Sequence, residues 1–256
     1  MSDLQKKAKS RIYFASDFHL GVPDAWASAE RERRIVRWLD CIEENAKEIF
    51  LLGDVFDFWF EYRDVVSKGY VRLLGKLATM ADNGCKIHFV CGNHDLWIRD
   101  YFEKDLGFII HRSAFETIID GKRFLIGHGD GLDFSDRKYR FISRLFKSRF
   151  CVAAFAALHP RWAYAIGKTW SRKSRLSHSE SDKVNLYDQE PIYKYCMAEL
   201  DKRNIDFFVF GHRHLKCNLF LKNGSRYINT GFWATESPYA EWDGENLCLK
   251  NFDLGE

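Results

Sequence analysis

Several absences bound what this chain can be. No C-x-x-C pair occurs among its seven cysteines (Cys41, Cys85, Cys91, Cys151, Cys196, Cys217 and Cys248), and their number is odd. Scattered thiols of this kind argue against a disulfide framework and a thiolate zinc site, and fit a reducing cytoplasm. The longest wholly apolar run, Phe150 to Leu158, is nine residues, well short of the about 20 that a membrane-spanning helix needs. Met1 to Arg11 is polar with four basic residues, and the apolar stretch that follows stops by Ala15, too soon for a signal-peptide core. Internal repeats and low-complexity tracts are also missing. These absences predict neither export nor a transmembrane anchor.

What is present is globular. With 256 residues, 46% hydrophobic and 29% charged, the chain can bury a substantial core without covalent staples. A net charge of +3 is too mild to argue for nucleic acid as a partner. The distribution of charge says more. From Arg137 to Arg175 there are eleven Lys or Arg and no Asp or Glu, which leaves 28 basic against 36 acidic residues elsewhere. One strongly basic segment sits on an acidic body.

The order of elements predicts an α/β fold. Arg11–Ser16, Ile49–Leu52 and Lys86–Cys91 read as strands, separated by helical patterns over Ser28–Glu48 and Tyr70–Asn83. A hairpin is expected over Ala114–Ile119 and Arg123–Ile126 around Asp120-Gly121. The basic segment reads as two or three helices broken at Pro160, and Asp182–Arg203 as a further helix. Phe207–Phe210, Asn218–Leu221 and Arg226–Asn229 complete the strands, the last two flanking an Asn223-Gly224 turn.

A polar cluster follows five of these strands. In order they supply Asp17 and His19, Asp54, Asn93 and His94, His128, and His212 and His214. Singly, each is an ordinary turn motif. Jointly they matter, because strand ends of an α/β sheet converge on one crevice, and residues two apart on an extended segment face the same way. Carboxylate, imidazole and amide oxygen without thiolate suit Mn²⁺, Fe²⁺ or Zn²⁺. Eight candidates exceed the needs of one ion. Two ions about 3.5–4 Å apart, bridged by a carboxylate such as Asp54, can activate a water and stabilise a phosphoryl transition state.

D-x-H, G-D-x-x-D, G-N-H-D, G-H-G-D and G-H-x-H, in that order, resemble the calcineurin-like metallophosphoesterase family over Asp17 to His214. The resemblance implies a sandwich of two mixed sheets flanked by helices, with a helical lid inserted at residues 135–180 of a single domain spanning 1–256. It implies one ion, manganese foremost and Fe²⁺ or Zn²⁺ otherwise, on Asp17, His19, Asp54 and His214. A second ion would lie on Asp54, Asn93, His128 and His212. His94 would contact the substrate phosphate and protonate the leaving group. Asp95 and Asp130 would orient ligands, and Asp57 is either a further such partner or a helix cap.

The substrate must be set by the basic insertion, which mixes cations with Tyr139, Phe141, Phe146, Phe150, Phe155, Trp162, Tyr164 and Trp170. Cations can pair with a diphosphate or an anionic membrane, and the apolar face can receive acyl chains. The helical insertion and the late Gly231-Phe232-Trp233 are similar to the branch of the family that cleaves the pyrophosphate of UDP-2,3-diacylglucosamine during lipid A synthesis. That resemblance implies a nucleotide-activated glycolipid substrate, peripheral contact with the cytoplasmic face of the inner membrane, and substrate contacts from Tyr139, Arg140 and Lys183. His94 keeps another reading open, since histidine after the metal-binding asparagine is the pattern of broader phosphodiesterases acting on soluble nucleotides or DNA. A scaffold that retains the fold without catalysis is the third alternative, and it predicts eroded ligands.

Overall fold

The computed structural model describes residues 9–132, 137–178 and 190–253, apart from the side chains of 137–140 and 172–178. The chain begins with strand–helix–strand alternation: β1 (Arg11–Ala15), α1 (Ala25–Ile42), β2 (Ala46–Leu51), α2 (Val71–Asp82) and β3 (Lys86–Val90). Asp24 starts α1 by accepting a hydrogen bond from Ala27 N at 2.9 Å, an N-cap. Ile35, Trp38, Leu39 and Ile42 then bury one face of the helix.

The helix expected over Ser28–Glu48 ends early, at Ile42. Residues 46–51 instead form β2, parallel to both β1 and β3. The strand places Ile49 and Leu51 toward the helices and Phe50 toward the second sheet, so both faces are buried.

After α3 (Tyr101–Lys104) come β4 (Ile109–His111), β5 (Phe115–Ile119) and β6 (Lys122–Ile126). Asp120 and Gly121 both have positive φ, 46° and 79°, as the tight turn between antiparallel β5 and β6 demands. Next are α4 (Arg137–Lys147), α5 (Arg149–Ala156) and α6 (Pro160–His178). Ser148 separates the first two by capping Cys151 N at 3.2 Å. Pro160 is the first residue of α6, where its missing N–H costs nothing. α7 covers Pro191–Leu200, with the expected stretch 182–189 outside the described residues. β7 (Phe207–Phe210), β8 (Lys216–Phe220), β9 (Arg226–Thr230), β10 (Pro238–Trp242) and β11 (Leu247–Asn251) close the chain.

The strands form a six-stranded sheet, β11-β10-β1-β2-β3-β4, and a five-stranded one, β5-β6-β7-β9-β8. Both mix parallel and antiparallel pairs. Alternation along each strand assigns the layers. Ile12, Phe14, Phe50 and Val90 meet Phe124, Ile126, Val209 and Ile228 between the sheets. Tyr13, Ala15, Ile49 and Leu51 pack on α1 and α2, while Leu125, Phe208 and Phe210 pack on α7. The molecule is therefore a helix–sheet–sheet–helix sandwich. β4, β10 and β11 lie outside the sequence-based expectation, and the last two complete the first sheet beside β1.

The α4–α6 segment packs on loops that follow β2 and β3. Phe155 touches the rings of Phe58, Phe60 and Trp97. Tyr164 donates to Phe60 O at 2.8 Å, and Trp97 Nε1 to Phe146 O at 3.1 Å. No helix among the described residues is long and apolar enough to cross a membrane.

Candidate metal centre

The polar clusters sit just beyond the C-terminal ends of β1, β2, β3, β6 and β7. Their backbones are bent inward. Among the described residues, nine non-glycine positions have positive φ, and five of them are Asp17, His19, Asp54, His212 and His214. A left-handed backbone costs an L-residue on the order of 1–3 kcal/mol and gathers where a site demands it. The loops also lock together, with Asp17 N donating to Gly53 O at 3.0 Å and His19 N to Asp54 O at 2.9 Å. Two glycines are required by this closeness. A Cβ on Gly92 would overlap Asp54 Oδ1, and one on Gly211 would come within 2.6 Å of Asp17 Oδ2.

Three overlapping groups result, each with its donor atoms within 4.8 Å: Asp17/His19/His214, His19/Asp54/His94 and Asp54/His128/His212. Asp54 joins the second and third. Its Oδ2 faces three imidazole Nε2 atoms, at 3.4 Å (His128), 3.6 Å (His19) and 3.9 Å (His94). His214 Nε2 is 3.3 Å from Asp17 Oδ1 and 3.1 Å from His19 Nε2. His128 Nε2 lies 3.1 Å from Asn93 Oδ1.

These contacts fit divalent cations. His128 Nδ1 is 2.7 Å from Leu52 O, so Nδ1–H donates there, and when neutral the ring would aim its Nε2 lone pair at Asp54 and Asn93. Groups behind an imidazole commonly set its ligating nitrogen in this way. Acceptor would then face acceptor, an arrangement that a cation or a proton resolves. Asp17 Oδ1 is fully buried without a hydrogen-bond partner, an expensive state for a carboxylate oxygen.

The electrostatics agree. Burial acts against charge on His19, but the neighbouring carboxylates of Asp17 and Asp57 outweigh it and push the imidazole up to about 9. Burial is likewise overcome at His128 by Asp54, which pushes that ring up to about 10. Asp17 and Asp54 are held below the usual carboxylate range, since their imidazole partners outweigh desolvation. The cluster thus draws positive charge, which protons supply when ions do not. His94 behaves oppositely, its pKa lowered by burial.

Asp95 accepts Gly92 N and Val55 N, each at 2.8 Å, and Asp54 N at 3.3 Å. It clamps the backbone of the Asp54 loop against Gly92. Burial and the charge of Asp54 push its carboxyl up to about 7. Asp130 lies 3.7 Å from Lys147 Nζ on α4, and its charge helps to raise His128. Asp57 is no helix cap. It is buried with Oδ1 3.4 Å from His19 Nδ1, behind a candidate ligand. The side chains of Tyr139 and Arg140, and Lys183 altogether, lie outside the described residues.

Two residues join the site without a role in the sequence reading. Phe232 stacks on His214 at 4.4 Å between ring centroids. Ser171 of α6 lies 3.0 Å from His94 Nδ1 and donates to Asp57 Oδ2 at 2.5 Å. Next to Ser171 in the chain, Trp170 lines a cavity of about 440 Å³ walled also by Phe58, Trp97, Phe146, Phe155 and Leu158.

The family model described as calcineurin-like phosphoesterase matches residues 10–216. A UDP-2,3-diacylglucosamine hydrolase of Porphyromonas gingivalis is 37% identical over 96% of this chain and 98% of its own length. A protein of the same name from Shewanella halifaxensis is 25% identical, covering 96% of this chain and 100% of that one. Another from Neisseria gonorrhoeae is 25% identical, over 88% of this chain and 90% of its own length.

Proposed function

The chain belongs to the calcineurin-like phosphoesterase family and is a metal-dependent hydrolase, and from that premise we propose that it cleaves the pyrophosphate bond of UDP-2,3-diacylglucosamine to UMP and a lipid monophosphate. One ion would be held by Asp17, His19, Asp54 and His214, the other by Asp54, Asn93, His128 and His212, with manganese the foremost candidate. When bound, the ions would supply Lewis-acid polarisation of the diphosphate and activation of water. The protein's part is to hold and orient. Asp57 sets the ring of His19, Leu52 O sets that of His128, and Asp95 fixes the Asp54 loop. His94, with Nδ1 bound to Asp57 O at 2.8 Å, presents Nε2 to the substrate phosphate. The departing phosphate monoester has a second pKa of about 6, so protonation matters less there than orientation.

The observation that carries the substrate class is the apolar cavity. Phe58 adjoins Asp57, and Trp170 adjoins Ser171, so its wall is continuous in sequence with the groups that hold His94. A soluble nucleotide has no use for such a wall, whereas an acyl chain does. On this reading residues 135–180 form a lid within one domain spanning 1–256. Exposed Phe150, Phe141 and Trp162, in a segment that carries no acidic residue of its own, suit peripheral contact with an anionic inner membrane at its cytoplasmic face.

Removing both acyl chains from the substrate tests this. At about 0.8 kcal/mol per buried methylene, kcat/KM is expected to fall by at least about 100-fold. A nearly unchanged value would instead identify a phosphodiesterase for soluble nucleotides.

A further inference from the structure

We infer that Ser171 is a positioning residue through which the seating of α4–α6 reaches the catalytic cluster: its hydroxyl fixes the ring of His94 and, through Asp57, that of His19. The inference rests on the metal-site reading above and not on the identity of the lipid.

Ser171 is separated from His94 by 77 positions in the chain, yet its Oγ is 3.0 Å from His94 Nδ1. The residue is 2% exposed, so water does not substitute for these contacts. Because the hydroxyl donates to Asp57 Oδ2 at 2.5 Å, its lone pairs are left to accept from His94. The Nδ1–H is then shared between Ser171 Oγ and Asp57 O at 2.8 Å, which fixes both the ring plane and the direction of Nε2. The other oxygen of Asp57 stands 3.4 Å behind His19 Nδ1. One hydroxyl from the helical segment therefore braces the groups behind a candidate metal ligand and behind the phosphate-facing histidine.

The approach of α6 is itself specified. Gly167 lies one turn before Ser171 on the same helix face, and a Cβ there would overlap the ring of Phe58. Ala163, one turn earlier again, is fully buried. These small side chains let the helix come close enough for a serine to reach the cluster. With the segment unseated, His94 keeps only its carbonyl partner and Asp57 loses a donor.

Ser171→Thr and Ser171→Val nearly match in volume and differ in the hydroxyl. Each would be assayed with manganese on bis(4-nitrophenyl) phosphate, too small to need the apolar cavity, and on the diacylated substrate. The Val variant is expected to lose about 10-fold or more in kcat relative to Thr on both substrates, as loss of an orienting partner does, with KM within about twofold. In the metal-free protein, the His94 ring N–H proton resonance, assigned by its loss in His94→Asn, should shift in Val and persist in Thr. Equal kcat and equal resonances in the two variants overturn the inference. So does a change confined to KM for the acylated substrate, which would make α6 a wall only. If branched side chains prevent folding, Ser171→Ala against wild type is judged by the same criteria. Should the acyl-chain experiment fail, the small diester and the resonance still test Ser171.

Discussion

At the scale of single residues, the site is built by what stands behind the ligands as much as by the ligands themselves. Asp57→Ala is expected to weaken manganese binding by about 10–100-fold, the usual cost of losing a partner that orients a ligating imidazole, as read by isothermal titration. Unchanged affinity would remove Asp57 from the site. Gly92→Ala should destabilise the fold by about 1–3 kcal/mol, because its methyl would overlap Asp54 Oδ1; chemical denaturation measures this, and a neutral result would show that the loop yields. The ligand types were legible in the sequence because each motif directly follows a strand. Asp57 was ambiguous, since a carboxylate three residues past Asp54 is also a common cap. Ser171 left no signal at all. A serine within a basic helix acquires meaning only when folding brings it to His94.

At the scale of elements, the central strands were legible because buried parallel strands are short apolar runs ending in polar turns. β4, with three residues, is too short to show alternation, and β10–β11 follow the last motif, where no chemistry draws attention. The overextended α1 reflects an apolar spacing that carries on into β2, whose identity is settled by pairing with β1 and β3. The α4–α6 segment is held by aromatic contacts centred on Trp97, which meets Phe58, Phe60, Phe146 and Phe155. Trp97→Ala should therefore open α4 and α5 locally. Hydrogen exchange would show lost protection in 141–156 with the two sheets unaffected, whereas uniform loss would mean that the segment is integral to the core.

At the scale of the whole molecule, the cluster links charge to stability. His19 and His128 are raised to about 9 and about 10 in the metal-free fold, against about 6.5 when unfolded. Their stabilising contribution is present in full below pH about 6.5 and is lost as pH rises through those higher values. Ion binding needs the neutral rings, so it strengthens over the same interval. The gain in melting temperature on adding manganese should accordingly grow from pH 6.5 toward pH 9, by calorimetry; a constant or shrinking gain would mean that the ions bind elsewhere.

The most direct measurement is the number of manganese ions bound per chain, titrated into metal-free protein and followed together with hydrolysis of bis(4-nitrophenyl) phosphate. Two ions are expected, with activity rising only as the second site fills, and with Asp54→Ala unable to retain the pair. A single ion at saturation, or full activity in the metal-free protein, would contradict the account.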